Sequence, residues 1–393
     1  MSEENMTSTI AKIYIENLRH NLKLIKGRIS PGAKMCVAIK ADAYGHGALR
    51  CAREAVLCGA DFLAVARVRE GVELREGGIT IPLLMLSLCN PEEADELVLN
   101  EITPLVFDFD YIKMIEDAAR KAGKKKYSVH LAVDTGMGRI GCLPEECVRF
   151  AKYIDESEFL SLGGVCTHFS VADSKKETDR EYTEKQFERF VFATESIRKA
   201  GINPGIRHCA NSAITLDKPE MHLDMCRPGI IVYGYYPDEL DRDYFSSKGE
   251  QIDLKPVMAL TTRVVSIRDF EPGKSVSYGR TWTSEKKTKI AVLPIGYADG
   301  FFRRFSKSCG FCEGIDVAIN GRPYPIRGRI CMDQCMVELG ETSGVERWSE
   351  AVIFGPKESG AVQTAQKLAD ETGTIPYEIT CGVGKRVPRV FVE

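Results

Sequence analysis

Between residues 34 and 233, short β-branched runs alternate with amphipathic segments of helical length, and this alternation constrains the fold more than any other feature. A strand, a helix and a further strand in succession predict a parallel sheet, because the helix carries the chain back to the starting edge. The strand-like runs are KMCVAI, FLAVA, PLLML, TPLVFD, YSVHLAV, LSLGGVCTHF, IRHCA and GIIVYG. Eight such units predict a closed (β/α)8 TIM-type barrel, although an open, doubly wound sheet has a similar pattern.

The pattern changes near residue 245. Before it, the candidate helices are segments 47–59, 68–77, 91–99, 109–122, 144–154 and 178–200. Beyond it, strand-like runs follow one another without long helices, and Asn320-Gly321 between two of them is typical of a hairpin turn. We therefore predict an α/β barrel domain over residues 10–245 and a mostly β domain over residues 246–393, with one late helix at 362–372.

Composition limits the partners and the compartment. The chain has 393 residues and a formal net charge of -3, so no overall basic field attracts nucleic acid or an anionic membrane. The N-terminal stretch lacks the charge and apolar order of a signal peptide, and no apolar run approaches the roughly 20 residues that span a bilayer. The fourteen cysteines, among them Cys36, Cys166, Cys209 and Cys226 in apolar runs, suit buried free thiols. We expect a cytoplasmic protein that acts on small molecules.

Polar residues follow the candidate strands. In a (β/α)8 barrel, catalytic groups gather at the carboxyl ends of the strands. Lys40 follows the first run, and a lysine in a partly desolvated pocket has a lowered pKa and can form a Schiff base. The alternative is a rim lysine whose ammonium reaches water. The other polar residues near strand ends are Asp134 to Arg139, His168, Asn211, Ser212 and Arg227.

The residues around Lys40 suit a bound phosphate. The stretch ADAYGHG adds the hydroxyl of Tyr44 and backbone amides between small residues. Asn211, Ser212 and the Gly229–Ile230 amides lie after the seventh run and at the eighth, where barrels often bind phosphate. A phosphate site, a Schiff-base lysine and a strand-end arginine together suggest pyridoxal 5'-phosphate, whose ring is an electron sink during proton abstraction.

Nine stretches of the chain resemble motifs of the alanine racemase family, in that family's order. They are VAIKADAYGHG, DTGMGRIG, THFSVAD, HCANSA, RPGIIVYG, VSYGRTW, LPIGYADG, GRICMDQ and the pair IPYEITC and RVPR. The resemblance implies a pyridoxal-phosphate enzyme that interconverts L-alanine and D-alanine and supplies D-alanine for peptidoglycan. It also implies an amino-acid substrate and a homodimer whose active sites are shared across the interface.

The resemblance assigns two catalytic bases. Lys40 carries the cofactor and acts as one base, and Tyr278, contributed by the partner subunit, acts on the opposite face. One base removes the α-proton while the other returns a proton, so the two exchange roles in the reverse reaction. Tyr278 then needs a lowered pKa, for which Arg139 and, more weakly, Arg263 are candidates. Its alternative role is that of a half-buried strand aromatic.

The resemblance also assigns the contacts of the cofactor and the substrate. Arg227 contacts the pyridine nitrogen, which stays unprotonated because a guanidinium does not give up its proton, and transamination is thereby suppressed. His168 hydrogen-bonds to the ring or stacks near it. The phosphate ligands are Tyr44, Ser212, Gly229, Ile230 and Tyr377. The residues around the phenolic oxygen and the substrate carboxylate are Arg139, Tyr297, Met332 and Asp333.

One position departs from the family pattern. Ala132 stands where many members have a lysine, carbamylated in some, that orients the arginine corresponding to Arg139. Its support is left to an ordered anion, a water molecule or another side chain. We interpret Asp42 and His46 as residues of the turn without a direct chemical role.

Rival interpretations remain open. GMGRIG, residues 136–141, matches a dinucleotide fingerprint and favours an NAD-dependent dehydrogenase, although it falls at the fifth βα unit. Cys309 and Cys312, with Cys331 and Cys335, suit a structural zinc site or an oxidisable pair, whereas no pattern indicates a catalytic metal. A non-catalytic pyridoxal-phosphate-binding protein is a further alternative. Among racemases, serine or a broader set of amino acids is the alternative substrate.

Overall fold

The computed structural model describes residues 7–310 and 314–393 and confirms a parallel barrel with a mostly β second domain. The barrel strands are Lys34–Ala38, Phe62–Val65, Leu83–Met85, Ile102–Val106, Tyr127–Ala132, Leu160–Cys166, Ile206–His208 and Met225–Cys226. The first pairs with the last. Backbone hydrogen bonds from Asp224 to Arg207 and from Arg227 to Ala210 span the remaining gap. The barrel is therefore nearly closed, and the open, doubly wound sheet is excluded.

The eighth strand is not the run that the sequence indicated. GIIVYG contains the 3-10 turn Ile230–Tyr233, and the strand is the shorter Met225–Cys226 before it. The residues of the turn are buried, and the Val232 carbonyl accepts a hydrogen bond from Asn21 of the helix Ile15–Arg28. An apolar, β-branched run indicates burial, and burial alone does not distinguish a strand from another buried segment.

The predicted barrel helices are present between the strands. Their bounds are Ala48–Leu57, Val68–Glu76, Ala94–Leu99, Phe109–Lys121, Cys147–Glu156 and Glu177–Lys199. Further helices are Ile15–Arg28, Ser212–Asp217, Arg242–Ser247, Ala365–Thr372 and Pro376–Cys381. Each long helix buries one face, as Phe109–Lys121 does with Ile112, Ile115 and Ala119. Among the described residues, no helix combines the length and the apolar character needed to cross a membrane.

A nine-stranded sheet lies outside the barrel. In spatial order its strands are Ser266–Phe270, Thr288–Leu293, Cys335–Gly340, Arg322–Arg327, Asp316–Ile319, Glu350–Phe354, Met258–Arg263, Ile10–Tyr14 and Arg389–Val392. Ile10–Tyr14 precedes the barrel in the chain but pairs antiparallel with Met258–Arg263 and parallel with Arg389–Val392. The sheet therefore joins both ends of the chain. Asn320-Gly321 closes a hairpin, as predicted.

A two-stranded ribbon carries the second candidate base. Ser275–Val276 pairs with Trp282–Thr283, and Tyr278 lies in the 3-10 turn between them. The stretch KSVSYGRTW, residues 274–282, is one of the strand-like runs of the predicted β domain. The chain bends instead at Ser277 and Gly279, which have φ values of 65° and 73°. Tyr278 is therefore presented at the tip of a ribbon and not along a strand.

Inside the barrel, Gly164 allows two strands to enclose a histidine. A Cβ atom on Gly164 would lie 2.5 Å from the Ile206 carbonyl oxygen and 2.8 Å from the ring of His130. His130 is buried, and its Nδ1 lies 2.8 Å from Nε2 of His208. The backbone on one side and a fixed ring on the other leave no room for a methyl group.

Gly164→Ala is expected to lower the free energy of unfolding by about 1–3 kcal/mol, because the strands or the ring must move. Gly27→Ala is the matched control: its Cβ has no atom within 4 Å, and it lies within a helix. The control should gain about 0.5–1 kcal/mol. Urea unfolding of both variants measures the difference, and equal midpoints would contradict the close approach at Gly164.

Candidate active site

Lys40 lies at the barrel mouth, directly after the first barrel strand. It lines two adjoining cavities of about 290 and 250 Å³. His168 and Arg227 line both cavities as well. The sequence-predicted residues that line one or both are Lys40, Tyr44, Arg139, His168, Asn211, Ser212, Arg227, Gly229, Ile230 and Tyr377. The structure thus brings together the residues that the sequence and the resemblance assigned to a cofactor.

The chain makes a left-handed turn immediately after Lys40. Ala41, Asp42, Ala43 and Tyr44 have φ values of 52°, 54°, 55° and 54°. Residues other than glycine rarely adopt this region, at a cost of about 1–2 kcal/mol each. Asp42 offsets part of this cost, since its carboxylate accepts the Ala48 N–H at 2.7 Å. The turn brings the amine of Lys40 and the ring of Tyr44 to the same cavity.

His46 supports this turn from below. Its Nδ1 lies 2.9 Å from the Ala43 carbonyl oxygen and 3.0 Å from that of Tyr44, so Nδ1 carries the proton. The ring is fully buried and stacks on Tyr233 at 4.6 Å between ring centroids. His46 therefore has a structural role in the turn.

Burial lowers the pKa of the Lys40 amine, and the Arg139 guanidinium adds to this effect. The Glu70 carboxylate opposes it by favouring the charged ammonium. The balance leaves more neutral amine at a given pH than an exposed lysine has. A neutral amine is the form that attacks an aldehyde or accepts a proton.

One end of the smaller cavity is lined by hydroxyl groups and backbone amides. Ser212 Oγ accepts the Gly229 N–H at 2.9 Å, and a Cβ on Gly229 would lie 2.7 Å from Tyr44 Oη. Tyr377 lies beside Tyr44, with 5.8 Å between their ring centroids. Asn211 caps the following helix by accepting the Ile214 N–H at 3.1 Å. Such a set of donors around a glycine suits phosphate oxygens.

Arg227 is buried with neutral hydrogen-bond acceptors. Its Nη1 donates to His208 Nδ1 at 2.9 Å, and its Nη2 donates to the Thr167 carbonyl oxygen at 2.9 Å and lies 3.2 Å from His168 Nδ1. A guanidinium only donates, so both imidazole Nδ1 atoms accept. His208 therefore carries its proton on Nε2, which donates to His130 Nδ1 at 2.8 Å.

His130 and His208 were not predicted as site residues, because both stand inside apolar runs that were interpreted only as strands. A histidine within such a run is the signal that could have found them. Burial, then the Arg227 charge, lowers the pKa of His130 to about 4 and that of His168 to about 3, and shifts the pKa of His208 in the same direction. All three rings are neutral at pH 7, which the hydrogen-bond directions require.

Of the predicted residues of the second domain, Tyr377 lines the barrel-mouth cavity, whereas the others lie on a different surface. Tyr278, Tyr297 and Met332 are 70%, 41% and 52% exposed. Tyr278 and Tyr297 line one surface pocket, and Tyr278, Met332 and Asp333 line another. Lys40 lines neither of these pockets. Within one chain, the structure therefore does not bring Tyr278 to the barrel mouth.

Within one chain, the cations beside Tyr278 are Arg329 and Arg303. A Cβ on Gly279 would lie 2.9 Å from Arg329 Nη1, and Arg303 lines the same pocket as Tyr278. Arg263 is exposed at the end of its strand. Basic residues scattered over a β domain cannot be assigned to a turn without its tertiary contacts, so both arginines were missed.

The loops that carry Tyr297 and Met332 are joined to each other. Tyr297 N–H donates to the Cys331 carbonyl oxygen at 3.1 Å, and Arg386 donates to Asp299 and Asp333, at 2.7 Å each. This bridge fixes the two loops as one surface. Arg386 belongs to the RVPR motif, whose role the sequence left unassigned.

Ala132 lines the larger cavity together with Arg139. In the described part of the chain, no side chain hydrogen-bonds to Arg139. What supports Arg139 in place of the lysine therefore stays a prediction.

The rival motifs have other structural roles. Asp134 accepts the N–H groups of Gly136 and Gly138 at 2.9 and 3.1 Å, and the next α-helix begins only at Cys147. The glycine-rich segment therefore opens no helix, and the dinucleotide interpretation is wrong.

The proposed zinc ligands are only partly described. Cys312 lies outside the described residues. Within them, no group of three His, Cys, Asp or Glu residues is placed to hold a metal ion. The described cysteines are free, and Cys36, Cys166, Cys209 and Cys226 are buried.

The lowered pKa of Lys40 predicts its reactivity. In the cofactor-free protein, acylation of Lys40 should reach half its maximal rate at a lower pH than acylation of exposed lysines, because burial and Arg139 favour the neutral amine. The protein is labelled briefly at a series of pH values and digested, and mass spectrometry measures the acylation midpoint of Lys40 and those of exposed lysines, which are the internal standard. A Lys40 midpoint equal to theirs would contradict the desolvated site.

Two family descriptions and several relatives match the chain over nearly its whole length. Residues 13–237 match the alanine racemase N-terminal domain, and residues 257–391 match the alanine racemase C-terminal domain. The alanine racemase of Treponema denticola is 50% identical over 390 residues, 99% of each chain. That of Desulfovibrio desulfuricans is 43% identical over 384 residues, 98% of each chain. The solved structure of alanine racemase from Clostridium difficile 630 has a TM-score of 0.89 at 39% identity and covers 98% of this chain and 96% of its own.

Proposed function

Because this chain belongs to the alanine racemase family, we propose that it interconverts L-alanine and D-alanine with pyridoxal 5'-phosphate held at the barrel mouth. The observation that carries the proposal is the pair of adjoining cavities lined by the amine of Lys40, the hydroxyl and amide groups around Gly229, and the buried Arg227. The relatives named alanine racemase support the reaction, which makes the protein an isomerase. We place the reaction in the cytoplasm, where it supplies D-alanine for peptidoglycan.

The residues of the cavities fit the cofactor at its aldehyde, its phosphate and its ring nitrogen. Lys40 provides the amine for its aldehyde, and Tyr44, Ser212, Tyr377 and the Gly229–Ile230 amides provide donors for its phosphate. A side chain at Gly229 would fill this cradle, since its Cβ would lie 2.7 Å from Tyr44 Oη. When bound, the cofactor supplies an electron sink for the charge left when the α-proton departs.

Arg227 controls the ring end of the site. Its donors are partly used by His208, Thr167 and His168, and it has no acceptor of its own. A ring nitrogen that faces it must accept and stays unprotonated. An unprotonated ring nitrogen withdraws fewer electrons from the substrate carbon. The proton then returns to that same carbon, so racemisation is favoured over transamination.

Lys40 and Tyr278 are the two groups that move protons. Lys40 Nζ has a lowered pKa and exchanges a proton on one face of the substrate carbon. Tyr278 Oη does so on the other face, from a turn that lies against Arg329. Tyr297, Met332 and Asp333 accompany Tyr278 and contact the substrate carboxylate together with Arg139.

The position of Tyr278 supports an active site shared between two copies of the chain. Tyr278 is 70% exposed and lines a pocket that excludes Lys40. We propose a head-to-tail homodimer in which this surface covers the partner's barrel mouth. Residues 10–245 then bind the cofactor, and residues 246–393 supply the second base and the substrate contacts.

Lys40→Ala and Tyr278→Phe are each expected to slow alanine racemisation by about 10³-fold, because each removes one proton-transfer group. Loss of optical rotation, started from L-alanine and from D-alanine, measures the rates. Lys152→Ala and Tyr153→Phe, on the outer helix Cys147–Glu156, are matched controls that should keep wild-type rates. L-serine is assayed in parallel, and turnover of serine as fast as that of alanine would contradict the choice of substrate.

Mixing the two inactive variants tests the shared site. After exchange of subunits at equal amounts, about a quarter of the wild-type activity should return, because half of the dimers contain one intact Lys40–Tyr278 pair among their two sites. Activity that stays at the level of the separate variants would show that Tyr278 acts within its own subunit.

A further inference from the structure

Glu70 links two neighbouring βα units at the barrel mouth. Its Oε1 accepts the Ala41 N–H at 2.7 Å, and its Oε2 accepts the N–H groups of Ala66 and Arg67 at 2.7 and 3.1 Å. The bond to Arg67 caps the helix Val68–Glu76, as a glutamate at the third helical position commonly does. The bond to Ala41 crosses to the turn after Lys40, and capping of the helix does not require it.

The Ala41 N–H is the first amide after Lys40, and Ala41 opens the left-handed turn. A run of residues with positive φ persists only where surrounding contacts hold it. The other contacts of the turn act further along: Ala43 N–H donates to Ile39, and Ala48 N–H donates to the Asp42 carboxylate. Glu70 therefore holds the residue of the turn that lies next to Lys40.

Glu70 also acts on the charge of the Lys40 amine. Burial and the cations Arg139 and Arg227 lower the pKa of this amine, whereas Glu70 and Cys381 raise it. Glu70 forms no ion pair within the described residues, and its charge is met by three backbone N–H groups. The negative charge of the Glu70 carboxylate therefore acts on the Lys40 amine, because no ion pair neutralises it.

We propose that Glu70 is a positioning residue, which fixes through the Ala41 N–H the turn that presents the Lys40 amine to the cofactor's aldehyde. The proposal rests on the proposed function, because that function gives Lys40 its cofactor. Glu70 lines neither cavity, so it acts through the backbone and not by contact with cofactor or substrate.

Three variants distinguish the positioning of the turn by Glu70 from its capping of the helix and from the effect of its charge on Lys40. Glu70→Gln keeps the size of the side chain and the capping geometry, but its single carbonyl oxygen cannot serve both the helix and Ala41. Glu70→Asp keeps the charge on a shorter side chain that cannot span both sets of amides. Glu73→Gln is the matched control, since Glu73 lies on the same helix in an exposed pair with Arg69.

The full-length protein and its variants are stripped of cofactor and titrated with pyridoxal 5'-phosphate, and the absorbance of the lysine-bound form gives the affinity. Both Glu70 variants should bind about tenfold more weakly, as when other residues that orient a binding group are lost. Glu70→Gln should also shift the midpoint of Lys40 acylation to lower pH, since a charge that favours the ammonium is gone. Glu73→Gln should match the wild type in both measurements.

The proposal is overturned if Glu70→Gln binds the cofactor with wild-type affinity and its Lys40 is acylated with the wild-type midpoint. A lower melting temperature with unchanged cofactor affinity would also overturn it, because Glu70 would then only cap its helix. If Glu70→Gln does not fold, Glu70→Asp decides, and wild-type affinity there overturns the proposal. A wild-type protein whose Lys40 takes up no cofactor would overturn this proposal and the proposed function together, whereas normal uptake by the wild type and by Glu70→Gln overturns this proposal alone.

Discussion

Closure of the barrel is the constraint on which the site depends. Lys34 and Met35 of the first strand pair with Met225 and Cys226 of the last, and the Ala38 N–H donates to the Pro228 carbonyl oxygen at 3.0 Å. In an open sheet of eight strands, the two edges would stand roughly 34 Å apart at the usual strand spacing. Closure instead brings the end of the first strand next to the end of the last. Lys40 follows the first strand, and Arg227 and Gly229 follow the last. The amine, the phosphate cradle and the guanidinium become one site for this reason.

The buried Arg227 charge sets the protonation of its surroundings. A buried cation is costly without acceptors, and here backbone carbonyls and neutral imidazoles accept its protons. The same charge, together with burial, keeps His208 and His130 neutral, so the chain of donors runs in one direction only, outward from Arg227. His130 takes up a proton near pH 6.5 in the unfolded chain and near pH 4 in the folded protein. Between these two values, a fall in pH therefore lowers the free energy of unfolding. The network is therefore suited to neutral pH.

The sequence predicted the barrel because a repeated βα pattern is a local signal with one compact solution. It failed at GIIVYG, where apolar composition indicated burial but not conformation. The pairing of Ile10–Tyr14 with the second sheet is a long-range contact that no local pattern carries. The left-handed turn was equally hidden, because Ala41 and Ala43 favour right-handed helices and only tertiary contacts such as that of Glu70 hold them otherwise.

The candidate site residues were predicted on different grounds. Lys40, Tyr44, Ser212 and Gly229 followed from their positions near strand ends, but Tyr278, Tyr297, Met332 and Tyr377 entered only through family resemblance. Their supports were missed because the residues concerned look ordinary in sequence: Glu70 as a helix cap, His208 as part of a strand, and Arg329 as one basic residue among many. Positioning residues act through particular distances, and those distances arise only when the chain is folded.

The exposed surface of the second domain has a physical consequence for catalysis. Tyr278, Tyr297 and Met332 leave apolar area in water on one face, and Tyr and Met are the types enriched where proteins associate. The barrel mouth has the Lys40 amine and lacks Tyr278, whereas this face has the Tyr278 phenol and its pockets contain no lysine. In a two-fold dimer every contact occurs twice, so one association event would complete two sites and bury the apolar surface of both chains. Folding of the single chain would then build two half-sites, and catalysis would be gained only on association.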